Sequence, residues 1–127
     1  MNLLLDTHAY IWFSANSPQL SQVAKNLIEA TGNQTFLSIA SLWEMSIKVS
    51  LGKLSIDLDF KDVLDDLSDS GIKVLPISFD HILKNRSISF HHRDPFDRMI
   101  VAQSIGEGMK LLSTDTVFDL YTNNRVW

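Results

Sequence analysis

Four acidic residues, Asp6, Glu44, Asp97 and Asp115, are scattered along a chain of 127 residues, yet each falls where a strand gives way to a helix or where a helix begins. Four carboxylates gathered within a few ångströms would repel one another and retain protons unless cations lay among them. Hard divalent ions with oxygen ligands, Mg2+ or Mn2+, are the natural complement. A cation so held makes a water molecule easier to deprotonate, and a neighbouring carboxylate can take up the proton. The chemistry on offer is metal-assisted hydrolysis.

Several elements must cooperate to bring these acids together. Asn2-Leu3-Leu4-Leu5 is a short apolar run typical of a buried parallel strand, and Asp6 closes it. A helix over Ala9–Phe13 stops before Asn16-Ser17-Pro18, and a second is expected from Gln19 to Ala30, ending at Gly32. Thr35–Ser38 is the next strand. Beyond it Ala40, Glu44, Ile47 and Leu51 form one helical stripe, so Glu44 is written into an apolar face where it needs a partner or a cation. Asp59–Asp69 is expected to form a helix ending at Gly71, followed by a strand over Lys73–Ile77 and a helix capped by Ser78 and running to about Arg86. Asp94, Pro95 and Asp97 mark a further helix start, with Asp94 as cap and Pro95 in the first turn. That helix runs to Gly106 or Gly108. Lys110–Ser113 is a strand ending at Thr114-Asp115, and Arg125–Trp127 can add a short last one. Strands alternating with helices imply a parallel sheet covered on both faces, with its active site at the carboxyl ends of the strands.

Each acid also has a purely structural reading. Asp6 and Asp115 can cap the helix or turn that follows, and Asp97 can be a favourable charge near a helix N-terminus. Glu44 is the hardest to explain as structure. Capping suffices for Asp94. Adjacent His91 and His92 read as solvent-facing loop residues, Asp119 as simply exposed, and Trp12, Trp43 and Phe96 as core or interface.

Composition sets the frame. With 45% hydrophobic residues the chain can build one core, a single domain over residues 1–127. The absence of cysteine excludes disulfides and thiolate metal sites. Leu3–Leu5 is too short to span a membrane and has no basic leader, so a cytoplasmic protein without membrane association is expected. A net charge of -4 runs against nucleic-acid binding, except that six acids between Asp57 and Asp69 look like a solvated helix face and four more would lie under cations.

Taken together, Leu3-Leu4-Leu5-Asp6-Thr7-His8, Ser41-Leu42-Trp43-Glu44, Arg93-Asp94-Pro95-Phe96-Asp97-Arg98 with Ala102-Gln103, and Leu112-Ser113-Thr114-Asp115 closely resemble the PIN-domain ribonucleases, and more narrowly the VapC-type toxins of bacterial type II toxin-antitoxin pairs. The resemblance spans nearly the whole chain. It implies a three-layer α/β/α sandwich with a central, mainly parallel sheet. It also implies that Asp6, Glu44, Asp97 and Asp115 bind one or two Mg2+ or Mn2+ ions and hydrolyse RNA phosphodiesters, transfer RNA being the family-level substrate. Thr114 would hold a water or support a ligand, and Arg93, Arg98, Lys48, Lys53 and Arg86 are candidates for gripping the RNA backbone. A cognate antitoxin, docking on Trp12, Phe13, Leu42 and Trp43, and a homodimer are the expected partners. Two rival readings differ in class. An aspartyl-phosphate domain of receiver or dehalogenase-like type would need a second Asp at position 8 or a lysine closing a late strand. A PIN-like binding module without catalysis would have no use for all four acids.

Overall fold

Leu3, Leu4 and Leu5 are fully buried because the strand they form lies in the middle of a sheet covered on both faces. The computed structural model describes residues Met1–Trp127. Its strands are β1 (Asn2–Leu5), β2 (Gln34–Ser38), β3 (Ile72–Leu75), β4 (Lys110–Leu112) and β5 (Arg125–Val126). Its helices are α1 (Thr7–Ser14), α2 (Gln22–Glu29), α3 (Ile39–Ser50), α4 (Val63–Asp69), α5 (Phe79–Ser87) and α6 (Pro95–Glu107). The sheet order is β3-β2-β1-β4-β5, and every pairing is parallel, so the expected mainly parallel sheet is parallel throughout.

Successive strand residues point to opposite faces, which divides the core in two. Leu5, Leu37, Ile72 and Leu112 pack with Tyr10, Ala24, Ile28, Met45 and Leu67 from the first four helices. Leu4, Leu75 and Leu111 pack with Ile100 and Val101 of α6 and with Phe118. The result is a three-layer α/β/α sandwich. None of its helices is long and apolar enough to cross a membrane.

Several local expectations change. The helix expected from Gln19 begins instead at Gln22, because Ser21 Oγ accepts the Ala24 N–H at 3.0 Å and caps it there. The segment Asp59–Asp69 is a single 3-10 turn over Phe60–Asp62, capped by Asp59, which leads into α4. Along α3 the stripe fails towards the C-terminus. Its buried residues are Ala40, Ser41, Leu42, Glu44 and Met45, whereas Ile47 is half-buried and Leu51 is 61% exposed. The last turn of that helix runs past the core. Nor is the acidic stretch only a solvated face, since Asp66 accepts the Tyr10 hydroxyl at 2.6 Å and the Ser14 hydroxyl at 3.2 Å.

Candidate active site

The sheet order reverses direction between β1 and β4. After β3 the chain passes through α5 and α6 and re-enters the sheet on the far side of β1, which puts the switch point of the sheet at the carboxyl ends of β1 and β4, where α/β folds of this kind place their ligand crevice. Asp6 follows β1 directly, and Asp115 follows β4 after Ser113 and Thr114. Glu44 reaches the same edge from the second turn of α3, and Asp97 from the first turn of α6.

Asp6 caps α1 and at the same time lies at the carboxyl edge of the sheet. Its Oδ1 accepts the Ala9 N–H at 2.8 Å, which starts α1, while Oδ2 accepts the Ser113 hydroxyl. Burial pushes this carboxyl up, with a smaller push from the Asp115 charge, and its hydrogen bonds work against the rise. Glu44 is buried too. Its Oε1 accepts the Thr7 hydroxyl at 2.6 Å and its Oε2 meets Lys48 Nζ at 2.7 Å, one helical turn on. The Thr7 hydroxyl, its proton given to Glu44, also lies 3.0 Å from the Ser41 hydroxyl, which can donate to it. Lys48 is thus the counter-ion of Glu44 rather than a free phosphate grip, and the contact raises its own pKa.

Asp97 and Asp115 are half-buried and face each other across His92, whose Nε2 lies 3.2 Å from Asp97 Oδ2 and 2.9 Å from Asp115 Oδ2. The donor atoms of these three residues all lie within 4.8 Å of one another. Asp97 is pushed up to about 7, first by burial and then by the charges of Asp94, Glu44 and Asp6, with His92 opposing. The acids therefore crowd one another electrostatically at a single edge. Asp115 doubles as a cap, accepting the Val117 N–H at 3.0 Å, and its own N–H donates to Ser113 Oγ.

This is the crevice of a known fold family: the chain matches the PIN domain over residues 3–123. It belongs to the PIN domain family. Among solved structures this PIN domain resembles VapBC2 from Rickettsia felis bound to a promoter DNA fragment, with TM-score 0.70 and 15% identity over 99% of this chain and 96% of that one. It also resembles a toxin-antitoxin complex from Klebsiella pneumoniae, with TM-score 0.67 and 14% identity over 98% and 96%. A third likeness is to FitAcB from Neisseria gonorrhoeae, with TM-score 0.62 and 18% identity over 98% and 96%. No curated protein matches the chain.

Other residues of the PIN domain occupy places the sequence did not suggest. His92 is not a solvent-facing loop residue, because its ring stacks on Phe118 and its backbone N–H donates to the Tyr121 hydroxyl at 2.7 Å. Thr114 is exposed, and Ser113 supplies the supporting hydroxyl instead. A hydroxyl continuing an apolar strand next to a candidate acid was the available signal. Arg98 is 6% exposed and cannot reach a ligand. Its guanidinium donates to the carbonyls of Ser89, Asn85, Ile88 and His92 and lies 3.9 Å from the centre of the Phe90 ring. Asp94 is the cap of α6, its Oδ1 accepting the N–H groups of Phe96 and Asp97. Asp119 is exposed but paired, holding Arg125 through two contacts at 2.8 and 2.9 Å. Of the remaining basic candidates, Lys53, Arg86 and Arg93 are exposed.

Proposed function

We propose that this PIN domain is a metal-dependent endoribonuclease acting as the toxin of a type II toxin-antitoxin pair. The observation that carries the reading is that Asp6, Glu44, Asp97 and Asp115 all sit at the carboxyl edge of the sheet around its switch point, with Asp97 and Asp115 brought together on His92. The donor set fits Mg2+ or Mn2+: it is made of carboxylate oxygens, contains no thiolate, and holds more negative charge than its own cations offset.

The residues divide the work. Asp6 and Glu44 are fixed by the hydroxyls of Ser113 and Thr7, by the first turn of α1 and by Lys48, so their carboxylates are oriented before any ligand arrives. Asp97 and Asp115 are the more exposed pair and face incoming substrate. Lys48 Nζ is engaged by Glu44 and holds that carboxylate in place. Bound by these acids, Mg2+ or Mn2+ would supply Lewis acidity that eases deprotonation of water and offsets charge developing on the phosphate. A carboxylate of the site would accept the proton that this water gives up. Attack by water leaves 5'-phosphate and 3'-hydroxyl ends.

The partner reading rests on the sequence resemblance to VapC-type toxins and on the Klebsiella pneumoniae structure, a toxin-antitoxin complex. Ile39, Trp43 and Leu64 are exposed around Leu42 and Phe60 and form an apolar groove suited to an antitoxin helix. A homodimer in the cytoplasm and transfer RNA as substrate complete the proposal. Chelation by EDTA should abolish RNA cleavage, and added Mg2+ or Mn2+ should restore it with 5'-phosphate products. Cleavage that persists in excess EDTA would overturn the metal-dependent reading.

A further inference from the structure

We propose that His92 is itself a ligand of the metal centre, contributing Nε2 between the Asp97 and Asp115 carboxylates and turning an all-oxygen site into a mixed one that favours Mn2+ over Mg2+. The proposal rests on the metal-site reading above and adds a residue to it.

The geometry is the starting point. Nε2 lies 3.2 Å from Asp97 Oδ2 and 2.9 Å from Asp115 Oδ2. Neighbouring ligands of an octahedral ion with bonds of about 2.1 Å lie about 3 Å apart, which is the separation of Nε2 from each carboxylate oxygen, and all three donor atoms lie within 4.8 Å of one another. The imidazole is also held in place. Its ring stacks on Phe118 at 5.5 Å and 27°, its backbone N–H is fixed by the Tyr121 hydroxyl, and its carbonyl accepts Arg98 Nη1 at 3.4 Å. Tyr121 is anchored in turn by donating to the Ser89 carbonyl at 2.7 Å. A residue needed only to neutralise two carboxylates could be a flexible lysine. Phe118 instead stacks on the ring, while Tyr121 and Arg98 hold the backbone that carries it, so Nε2 stays aimed between the two carboxylates. The chemistry then sets the preference: imidazole nitrogen suits borderline transition ions, while Mg2+ keeps to oxygen and retains its waters.

The test uses Mn2+ as the probe on the whole chain. Electron spin-echo spectroscopy of the Mn2+-loaded protein should show nitrogen coupling that changes on 15N-histidine labelling and disappears in His92→Gln. The same substitution should weaken Mn2+ binding on the order of tenfold and Mg2+ binding much less, narrowing the preference. The labelling experiment needs no substitution and so is independent of how the variant folds. Mn2+ bound without nitrogen coupling, or coupling that survives in folded His92→Gln, would overturn the proposal and leave the carboxylate site standing. If the wild-type chain binds no Mn2+ at all, the metal-site reading falls and this inference with it.

Discussion

Asp94 and Asp97 stand three residues apart and do opposite things. Asp94 stabilises α6 by accepting two backbone N–H groups, while Asp97 sits half-buried among like charges. Replacing Asp94 with Ala should cost about 1 kcal/mol through the lost cap. Asp94→Ser should cost less, since it keeps a capping oxygen and removes a charge from beside Asp97, and both variants should still cut RNA. Thermal melts with a cleavage assay check this, and a stable Asp94→Ala variant without activity would reverse the roles. For Asp97 the folded-state pKa of about 7 lies above the unfolded value of 3.8. Its protonation therefore favours the folded state at low pH, and that contribution is lost as pH rises from about 4 to 7. In EDTA at pH 8, Asp97→Asn should melt higher than wild type by roughly 4–8 °C, the two should converge near pH 4, and Mn2+ should stabilise only the wild type. A variant that melts lower at pH 8 would contradict the crowding. The acids and the cap of α6 were legible because carboxylates at strand ends and Asp-Pro helix starts are local signals. His92 was not, because its role depends on Phe118 and Tyr121, more than twenty residues away in sequence.

Elements matter here as mounts for side chains. Ile88 packs the start of the loop between α5 and α6 against the core, and Arg98 holds the rest by donating to four carbonyls across residues Asn85 to His92. Arg98→Ala should cost about 2–4 kcal/mol, because buried carbonyls lose a charged donor, and it should lower activity by freeing His92. Arg98→Lys should recover little, since an ammonium cannot fork across the same acceptors. Full activity and stability in Arg98→Ala would show that the loop is held otherwise. Arg98 also shows where sequence reasoning stopped: an arginine beside a catalytic motif invites a phosphate role, and only packing reveals that its charge is spent inside the protein. Strand positions were readable from apolar runs, and α6 from its cap and the left-handed Gly108 that ends it. The start of α2 and the split at Phe60–Asp62 were not, because several polar residues competed to cap those helices.

At the scale of the molecule, alternation of strands and helices was enough to give the α/β/α layers, and the order of the sheet then explains why residues more than a hundred positions apart meet at one crevice. A net charge of -4 fits a nucleic-acid enzyme only because part of the negative charge is buried at that crevice. Expression of the chain alone should arrest bacterial growth, co-expression with its neighbouring reading frame should relieve the arrest, and Asp6→Asn should not arrest growth. Arrest that survives Asp6→Asn would separate toxicity from the site. The most direct test of the central claim is RNA cleavage in Mn2+ by the purified wild type and by Asp6→Asn, Glu44→Gln, Asp97→Asn and Asp115→Asn, each checked for folding. If the four carboxylates form one hydrolytic centre, the wild type cuts, and each folded variant loses at least about a hundredfold in rate. A folded Asp6→Asn or Asp97→Asn protein that cuts at the wild-type rate would contradict it.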